Sequence, residues 1–278
     1  MIDKRKNLLE AASVIKDGDM VAFGGNVLHR SPMAMVRELV RQNKKGLRLV
    51  KTAGAMEVDM LCLAGCVASV DAGYISYETE FGLATFYRKA VENGIVKANE
   101  HACYTVICAL RGGQMGVPFM PVKGLVAGDL LTVNDYFKVI QDPFGNGTTT
   151  VVKALNPDVA VIHVQEADCE GNSRILGPKF EDVLMSRAAK KVIITAENIV
   201  PTSKAVSNPG NIDIPGFLVT AVVHAPRGAA PCSCPSHYDI DRNAVKLFKA
   251  LSVKEELDAY LGRYEKSDRS GARIGGRI

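Results

Sequence analysis

The sequence predicts an α/β fold: an open, mostly parallel sheet flanked by helices. Short apolar runs, typical of strands covered on both faces, alternate with segments whose apolar residues recur at helical spacing. The 278 residues, 47% of them hydrophobic, are enough for a large core. No internal repeat interrupts this alternation, so residues 1–264 are taken as one domain. The Gly- and Arg-rich residues 265–278 are predicted to form a flexible tail.

The first half is predicted to alternate between strands and helices. Asp3 is expected to cap a helix over 4–16, and Ser31 to cap a helix that starts at Pro32 and reaches residue 43. The other predicted elements are strands over 20–23, 47–52 and 67–76, helices over 57–64, 85–93 and 101–111, and loops over 77–84 and 112–121. Residues 122–150 receive no assignment.

The second half is dominated by near-continuous apolar stretches. These are TTVVKAL, DVAVIHVQ, KKVIITAE and FLVTAVVHA, which fit parallel strands covered on both faces. Helices are predicted over 179–189, 245–251 and 253–264.

Composition excludes several classes of function. The net charge of +4 is small, and Lys and Arg are spread among Asp and Glu, so no nucleic-acid partner is expected. No uncharged window is long enough to span a membrane, and residues 1–20 lack the apolar core of a signal peptide. The seven cysteines are an odd number, which favours free thiols in a reducing compartment. We therefore expect a cytoplasmic protein without a membrane partner.

The stretch DGDMVAFGGNVLHRSP, residues 17–32, carries the strongest functional signal. A buried strand is followed directly by Gly24 and Gly25, and then by the start of a helix. Backbone N–H groups at such a junction can point at an anion, and glycines let a ligand come close. The alternative is an ordinary turn between a strand and a helix.

The same stretch resembles the A-type subunits of family I CoA-transferases. The matching residues are Asp17, Gly18, Val21, Ala22, Phe23, Gly24, Gly25 and Pro32. Asn26 stands where Phe is usual, and Arg30 stands where Gly is usual, although the glutaconate CoA-transferase branch also has Arg there. Later stretches agree in order: GVPFMPV, QDPF, DVAVIHVQEADCEGNSRI, IPGFLVTAVVHAPRGAAP and YDID. The resemblance covers residues 17–243.

This resemblance implies a CoA-transferase or ribose-5-phosphate isomerase-like fold and a two-subunit enzyme. A glutamate of the partner, the CoA-transferase B-type subunit, would form a glutamyl-CoA intermediate while CoA moves between an acyl-CoA and a carboxylic acid. Gly24, Gly25 and Asn26 of this chain would supply or shape the oxyanion loop, and the chain would line the acyl pocket. CoA is then a substrate, no cofactor is permanently bound, and the assembly is a heterotetramer or a hetero-octamer.

Two alternatives remain open. LCLAG and SPMAMVREL resemble related two-subunit hydrolases that open a cyclic diketone acyl-CoA, whereas VQEADCEGNSRILGPKFEDV resembles the glutaconate branch. The same fold also serves as a non-catalytic ligand-binding scaffold or sensor.

Further site residues follow from their chemistry and from the resemblance. Arg30 offers a bidentate fork for a substrate carboxylate. Ser76 and Glu78 are assigned to the acyl pocket, against the alternative of a solvated loop. Glu100 is the carboxylate nearest to the position of the hydrolase base, although Cys103 is an alternative occupant of that position. Gln114 is assigned to substrate binding.

Two other patterns are interpreted as structural. Glu92-Asn93-Gly94 copies part of the nucleophile motif of the B-type chains, but it ends an amphipathic helix, where Asn-Gly is ordinary capping chemistry. Cys232, Cys234 and His237 lack the second pair of ligands that a zinc site needs, so no metal is expected.

Overall fold

The computed structural model describes residues 2–125, 128–145 and 147–270. The strands are β1 Met20–Phe23, β2 Leu47–Gly54, β3 Val67–Ile75, β4 Lys97–Glu100, β5 Phe119–Val122, β6 Phe137–Gln141, β7 Thr148–Lys153, β8 Val159–Ala167, β9 Ser173–Arg174, β10 Lys191–Ile199 and β11 Ala221–His224. The helices are α1 Leu8–Ala12, α2 Met33–Arg41, α3 Met56–Leu63, α4 Glu78–Phe81, α5 Thr85–Glu92, α6 Cys103–Met115, α7 Leu130–Val133, α8 Asp182–Ala188, α9 Thr202–Val206, α10 Arg242–Lys249, α11 Glu255–Gly262 and α12 Glu265–Asp268. Short 3₁₀ turns lie at Pro209–Asn211 and Gly216–Leu218.

The main sheet is open and mostly parallel, as predicted. Its order is β11-β10-β8-β1-β2-β3-β4, and only the short β9 pairs antiparallel, with β8. After β1 the chain continues to β2 on one side of it, whereas after β8 it continues to β10 on the opposite side. The order in which strands are added therefore reverses between the neighbouring strands β1 and β8. In such sheets ligands gather beyond the carboxyl ends of the strands near the reversal.

Both faces of the main sheet are covered, which explains the continuous apolar runs. Along β1, Val21 and Phe23 pack into a cluster with α1, α2, α3, α5, α10 and α11. The alternate residues Met20 and Ala22 pack into a second cluster with α6 and α8. Because successive side chains of a strand point to opposite faces, both sets must be apolar.

The small sheet corrects part of the prediction. Its order is β5-β7-β6, and all pairs are antiparallel. TTVVKAL, predicted to be a parallel strand, is therefore the central strand of this separate sheet. The predicted loop over 112–121 contains the end of α6 and most of β5. Strand periodicity does not reveal which partner a strand will pair with, so these assignments depended on tertiary packing.

Helix ends also differ from the prediction. The first helix starts after Asn7, whose side chain accepts from the N–H of Glu10, and covers only five residues. Pro32, not Ser31, precedes the first helical residue of α2; Ser31 Oγ donates instead to the carbonyl of Val27.

The expected tail begins as packed structure. Residues 265–268 form α12, where the buried carboxylate of Asp268 binds Arg37 at 2.6 Å and Arg41 at 2.9 Å. Two arginines of α2 therefore hold the first residues of the segment that was predicted to be a flexible tail. Residues 271–278 lie outside the described part of the chain.

Candidate active site at the carboxyl edge of the sheet

The glycine loop leaves β1 in a single, tightly packed conformation. Gly25 has φ +75°, and a Cβ atom there would lie 2.4 Å from the carbonyl oxygen of His29. A Cβ atom on Gly24 would lie 2.9 Å from Oδ1 of Asp182. Both positions therefore need glycine because the backbone and a carboxylate approach closely.

The loop N–H groups are used within the chain. Gly24 donates to the carbonyl of Val161 at 2.8 Å, and Asn26 donates to the carbonyl of His29 at 2.8 Å. The N–H of Gly25 donates to Asp182 Oδ1 at 2.8 Å. Gly24, Gly25 and Asn26 were expected either to supply hydrogen-bond donors to the oxyanion or to shape the oxyanion loop. Because their N–H groups already have acceptors within the chain, this arrangement supports the second role.

Arg30 is not the exposed carboxylate fork that the sequence suggested. Its side chain is fully buried, and its Nη1 donates to Asp182 at 2.5 Å and to the carbonyl of His163 at 3.0 Å. Its Nη2 donates to the carbonyl of Pro178 at 2.7 Å. The guanidinium thus joins the end of the glycine loop to β8 and to α8, and these contacts use its Nη1 donors within the chain.

Thr52, Glu181 and Cys103 lie at the same edge, on the face covered by α6 and α8. Thr52 Oγ1 donates to Glu181 at 2.6 Å, and Cys103 Sγ donates to the carbonyl of Thr52 at 3.3 Å. Cys103 is exposed as a residue, but partial desolvation of its thiol, and then the nearby Glu181 carboxylate, raise the pKa of that thiol. In the sequence, Thr52 is a polar residue just after an apolar run and Glu181 lies in the polar segment KFED, and both patterns are too common to single these residues out.

Ser76 and Glu78 lie together just beyond β3. Ser76 is buried, and its Oγ donates to the carbonyl of Gly82 at 2.9 Å. Glu78 is exposed and has φ +58° at the start of α4. Glu80 of the same short helix accepts from Arg242 at 2.5 Å, so this segment is joined to the start of α10.

Glu100 and Gln114 are separated from the glycine loop. Glu100 ends β4, three strands from β1, which is roughly 14 Å at about 4.8 Å per strand. Gln114 lies at the far end of α6, where the neighbouring Gly113 approaches the carbonyl of Leu155, ahead of β8. Since α6 starts at the carboxyl edge and runs roughly 18 Å to the opposite edge, the structure places Gln114 far from the glycine loop.

A concavity of about 670 Å³ opens beside the glycine loop. It is lined by His29, Ser233, Pro235, Ser236, His237, Tyr238, Asp239, Ile240 and Arg242. His29 Nδ1 lies 2.7 Å from Ser233 Oγ, and both residues can form hydrogen bonds with a polar ligand. Arg242 brings the positive charge that a carboxylate would meet, although Glu80 already pairs with it.

A buried carboxylate holds Tyr238, one of the residues that line this concavity. Glu197 accepts from the Tyr238 hydroxyl and from the N–H of Arg227, and His163 Nε2 lies 2.8 Å from it. Burial raises the pKa of Glu197, but the hydrogen bonds and the nearby imidazole outweigh it and hold the pKa below its usual value. His163 is therefore a hydrogen-bonded core histidine, as predicted.

Glu197 and His163 also lie near Cys234, and their ligand atoms are all within 4.8 Å of one another. These are metal-binding residue types. However, the carboxylate is already occupied by its hydrogen-bond donors. Burial, and then the Glu197 charge, raise the pKa of the Cys234 thiol to about 12, which favours a neutral thiol. The absence of a metal thus stays a prediction.

The sequence as a whole matches the profile of the coenzyme A transferase family over residues 5–225. The A subunit of glutaconate CoA-transferase from Acidaminococcus fermentans is 33% identical over 90% of this chain and 83% of its own length. The A subunit of 3-oxoadipate CoA-transferase from Pseudomonas knackmussii is 32% identical over 90% of this chain and 89% of its own. The chain therefore belongs to the coenzyme A transferase family, and it is of the A type.

Other comparisons agree with this placement. The crystal structure of the Acidaminococcus fermentans glutaconate CoA-transferase aligns with a TM-score of 0.89 at 30% identity, over 98% of this chain and 93% of that one. A cholesterol ring-cleaving hydrolase subunit of Rhodococcus jostii is 30% identical over 82% of this chain and 79% of its own. An uncharacterised Archaeoglobus fulgidus protein is 38% identical over 92% of this chain, which spans 58% of that protein. Within the described residues, no helix has the length and hydropathy to cross a bilayer.

Proposed function

We propose that this chain is the A-type half of a two-subunit enzyme that moves CoA between an acyl-CoA and a carboxylic acid. The observation that carries the proposal is the match to the A subunit of glutaconate CoA-transferase, which extends over nine-tenths of this chain at 33% identity. The proposed partner is a CoA-transferase chain of the B type, in a heterotetramer or a hetero-octamer. A cytoplasmic location is part of the same proposal.

The proposed reaction is covalent catalysis by a carboxylate of the partner. That carboxylate attacks the thioester carbonyl, CoA leaves as a thiolate, and a mixed anhydride forms. The thiolate then attacks the glutamyl carbonyl, which releases the first acid and leaves a glutamyl-CoA thioester. The second acid repeats both steps in reverse, so CoA is transferred and the glutamate is regenerated without net hydrolysis.

This chain would contribute the acyl pocket. The concavity beside the glycine loop offers His29, Ser233 and Arg242 as polar contacts for a carboxylate or a carbonyl oxygen. Asn26 and the Ser76–Glu78 segment border the carboxyl edge of neighbouring strands. The glycine loop would hold these groups in place, because its own N–H groups are already paired.

A related hydrolase is the second candidate. It is favoured by the 30% identity to a subunit of a ring-cleaving hydrolase and by the exposed carboxylate of Glu100 at the end of β4. That carboxylate would take a proton from water, and the hydroxide would attack a ring ketone of the cyclic diketone. The C–C bond between the ketone carbon and its ring neighbour then breaks, the leaving carbon takes the proton back, and the thioester stays intact. A non-catalytic ligand-binding scaffold is the remaining alternative.

The first experiment is a mass-resolved acyl-CoA assay on this chain co-expressed with a B-type partner. Dicarboxylic, short-chain and alicyclic acyl-CoAs are offered with and without isotope-labelled acetate. Label that appears in a new CoA ester, with little free CoA, supports the transferase. A ring-opened product that gains one water and keeps its CoA supports the hydrolase instead. A folded complex that does neither supports the scaffold.

A second measurement locates the nucleophile. The complex is mixed with acyl-CoA, quenched in acid, and both chains are weighed intact. A CoA adduct is expected on the partner chain. An adduct on this chain would contradict the division of labour proposed here. Glu92→Gln is the matched control, because Glu92 is an exposed helix residue paired with Arg88 at 2.7 Å.

A further inference from the structure

Lys51 is a fully buried lysine in the middle of a parallel strand. Placing an ammonium group there is unfavourable unless each of its donors finds an acceptor. Its Nζ donates to three successive backbone carbonyls: Phe23 at 3.1 Å, Gly24 at 2.6 Å and Gly25 at 2.8 Å. An ammonium has three donors, so these carbonyls use all of them.

Glu57 supplies the opposite charge. Its Oε1 lies 3.4 Å from Lys51 Nζ, and this oxygen accepts no hydrogen bond among the described residues. Its other oxygen accepts from the N–H of Ala55 at 3.4 Å and lies 3.2 Å from Ser31 Oγ, whose one proton it shares with the carbonyl of Val27. Glu57 therefore balances the charge of the ammonium, while the loop carbonyls take its hydrogen bonds.

The three carbonyls fix the orientation of the peptide planes. In a trans peptide the N–H points opposite to the C=O, so carbonyls drawn toward Lys51 turn the following N–H groups away from it. Those N–H groups belong to Gly24, Gly25 and Asn26, and they meet acceptors on the other side, including Asp182. Lys51 and Asp182 thus hold the loop from opposite sides.

We infer that Lys51 is a positioning residue of the active site, acting through the glycine loop. This inference rests on the proposed function, since the loop leads to His29, which lines the concavity proposed as the acyl pocket. Lys51 does not line the pocket. It fixes the peptides that lead into Asn26, and Asn26 exchanges two backbone hydrogen bonds with His29. A loop held by three charge-assisted hydrogen bonds keeps one geometry.

The test compares Lys51→Met, Glu57→Gln and the double variant. Lys44→Met is the matched control. Lys44 is likewise a lysine that donates to a backbone carbonyl, that of Ile15 at 2.6 Å, but this carbonyl lies away from the loop. Hydrogen exchange of residues 24–31 is measured for this chain. Thermal stability is measured in parallel, and kcat and KM are measured in the assembled complex.

Lys51→Met is expected to speed amide exchange in the loop about tenfold more than in the rest of the main sheet. It should lower kcat about 100-fold, with KM changed by less than about threefold. The double variant removes the unpaired Glu57 charge, so it should regain stability but neither loop protection nor kcat. Lys44→Met should leave all three readouts unchanged.

Two outcomes would overturn the inference. Recovery of loop protection and kcat in the double variant would make Lys51 only a charge partner of Glu57. Exchange that rises equally across β1, β2 and β3 would make it only a stability residue. If Lys51→Met does not fold, the double variant carries the same comparison. If the complex transfers no CoA, the proposed function fails, whereas the exchange data still decide what Lys51 does to the loop.

Discussion

Gly25→Ala is the sharpest perturbation of the candidate site. The added Cβ would lie 2.4 Å from the carbonyl oxygen of His29 and 2.5 Å from the carbonyl carbon of Arg30, both of them backbone atoms. Since no flexible side chain can give way, the loop itself must move. Its N–H would then leave Asp182, which it now meets at 2.8 Å.

The cost is the sum of separable effects. A left-handed φ costs an alanine about 1–2 kcal/mol. Overpacking against backbone adds about 1–3 kcal/mol. Weakening a buried hydrogen bond to a carboxylate adds about 1–2 kcal/mol. We expect Gly25→Ala to lower the free energy of unfolding by about 3–7 kcal/mol.

Gly94→Ala is the matched control, because Gly94 has φ +68° but open space where a Cβ would be added. Gly94→Ala should lower the free energy of unfolding only by the cost of a left-handed φ for an alanine, about 1–2 kcal/mol. Urea unfolding of both variants and transferase turnover of both complexes make the comparison. Turnover should fall about 100-fold for Gly25→Ala and stay unchanged for Gly94→Ala. Equal destabilisation in the two variants, or intact turnover in Gly25→Ala, would refute the reasoning.

Three further predictions follow. Arg30→Met should lower the free energy of unfolding by about 3–5 kcal/mol, because it leaves the Asp182 charge buried and unpaired. Adding Asp182→Leu should restore part of that stability, since the N–H of Gly25 stays without its acceptor. A raised KM at unchanged stability would instead make Arg30 a substrate ligand. Burial raises the pKa of Asp59 from 3.8 to about 6 in the folded protein. Because the unfolded chain loses this proton at lower pH than the folded protein does, the free energy of unfolding should fall by about 3 kcal/mol as the pH rises from about 4 to 6. Asp59→Asn should remove this pH dependence, as measured by urea unfolding at pH 4 and at pH 6. Glu92→Gln should leave turnover unchanged and cost at most about 0.5 kcal/mol, since it breaks only an exposed ion pair; lost turnover would reinstate Glu92 as a nucleophile.

Much of the main sheet could be predicted from the sequence. β1 has the predicted bounds, and β2, β3, β8 and β10 lie where apolar runs predicted strands. Continuous runs identify strands covered on both faces because both sets of alternating side chains must be buried. β4 was missed, since three of its four residues, Lys97–Glu100, are polar, as an edge strand allows.

The location of the candidate site could be predicted from the sequence, but the contacts that hold its residues in place could not. The pair Gly24-Gly25 after a strand located the loop, and family resemblance named its region. Arg30 looked exposed because a charged residue in a glycine-rich loop usually is. Its partner Asp182 is 152 residues away, and nothing local to Arg30 indicates it.

Fold class, family and the position of the glycine loop follow from the sequence, because these depend on periodicity and on short contiguous motifs. That Lys51, Asp182 and Arg30 hold the loop is visible only in three dimensions, as is the separation of Glu100 and Gln114 from it. Burial and pairing of charges arise between residues distant in the chain, so they exist only once the strands are side by side.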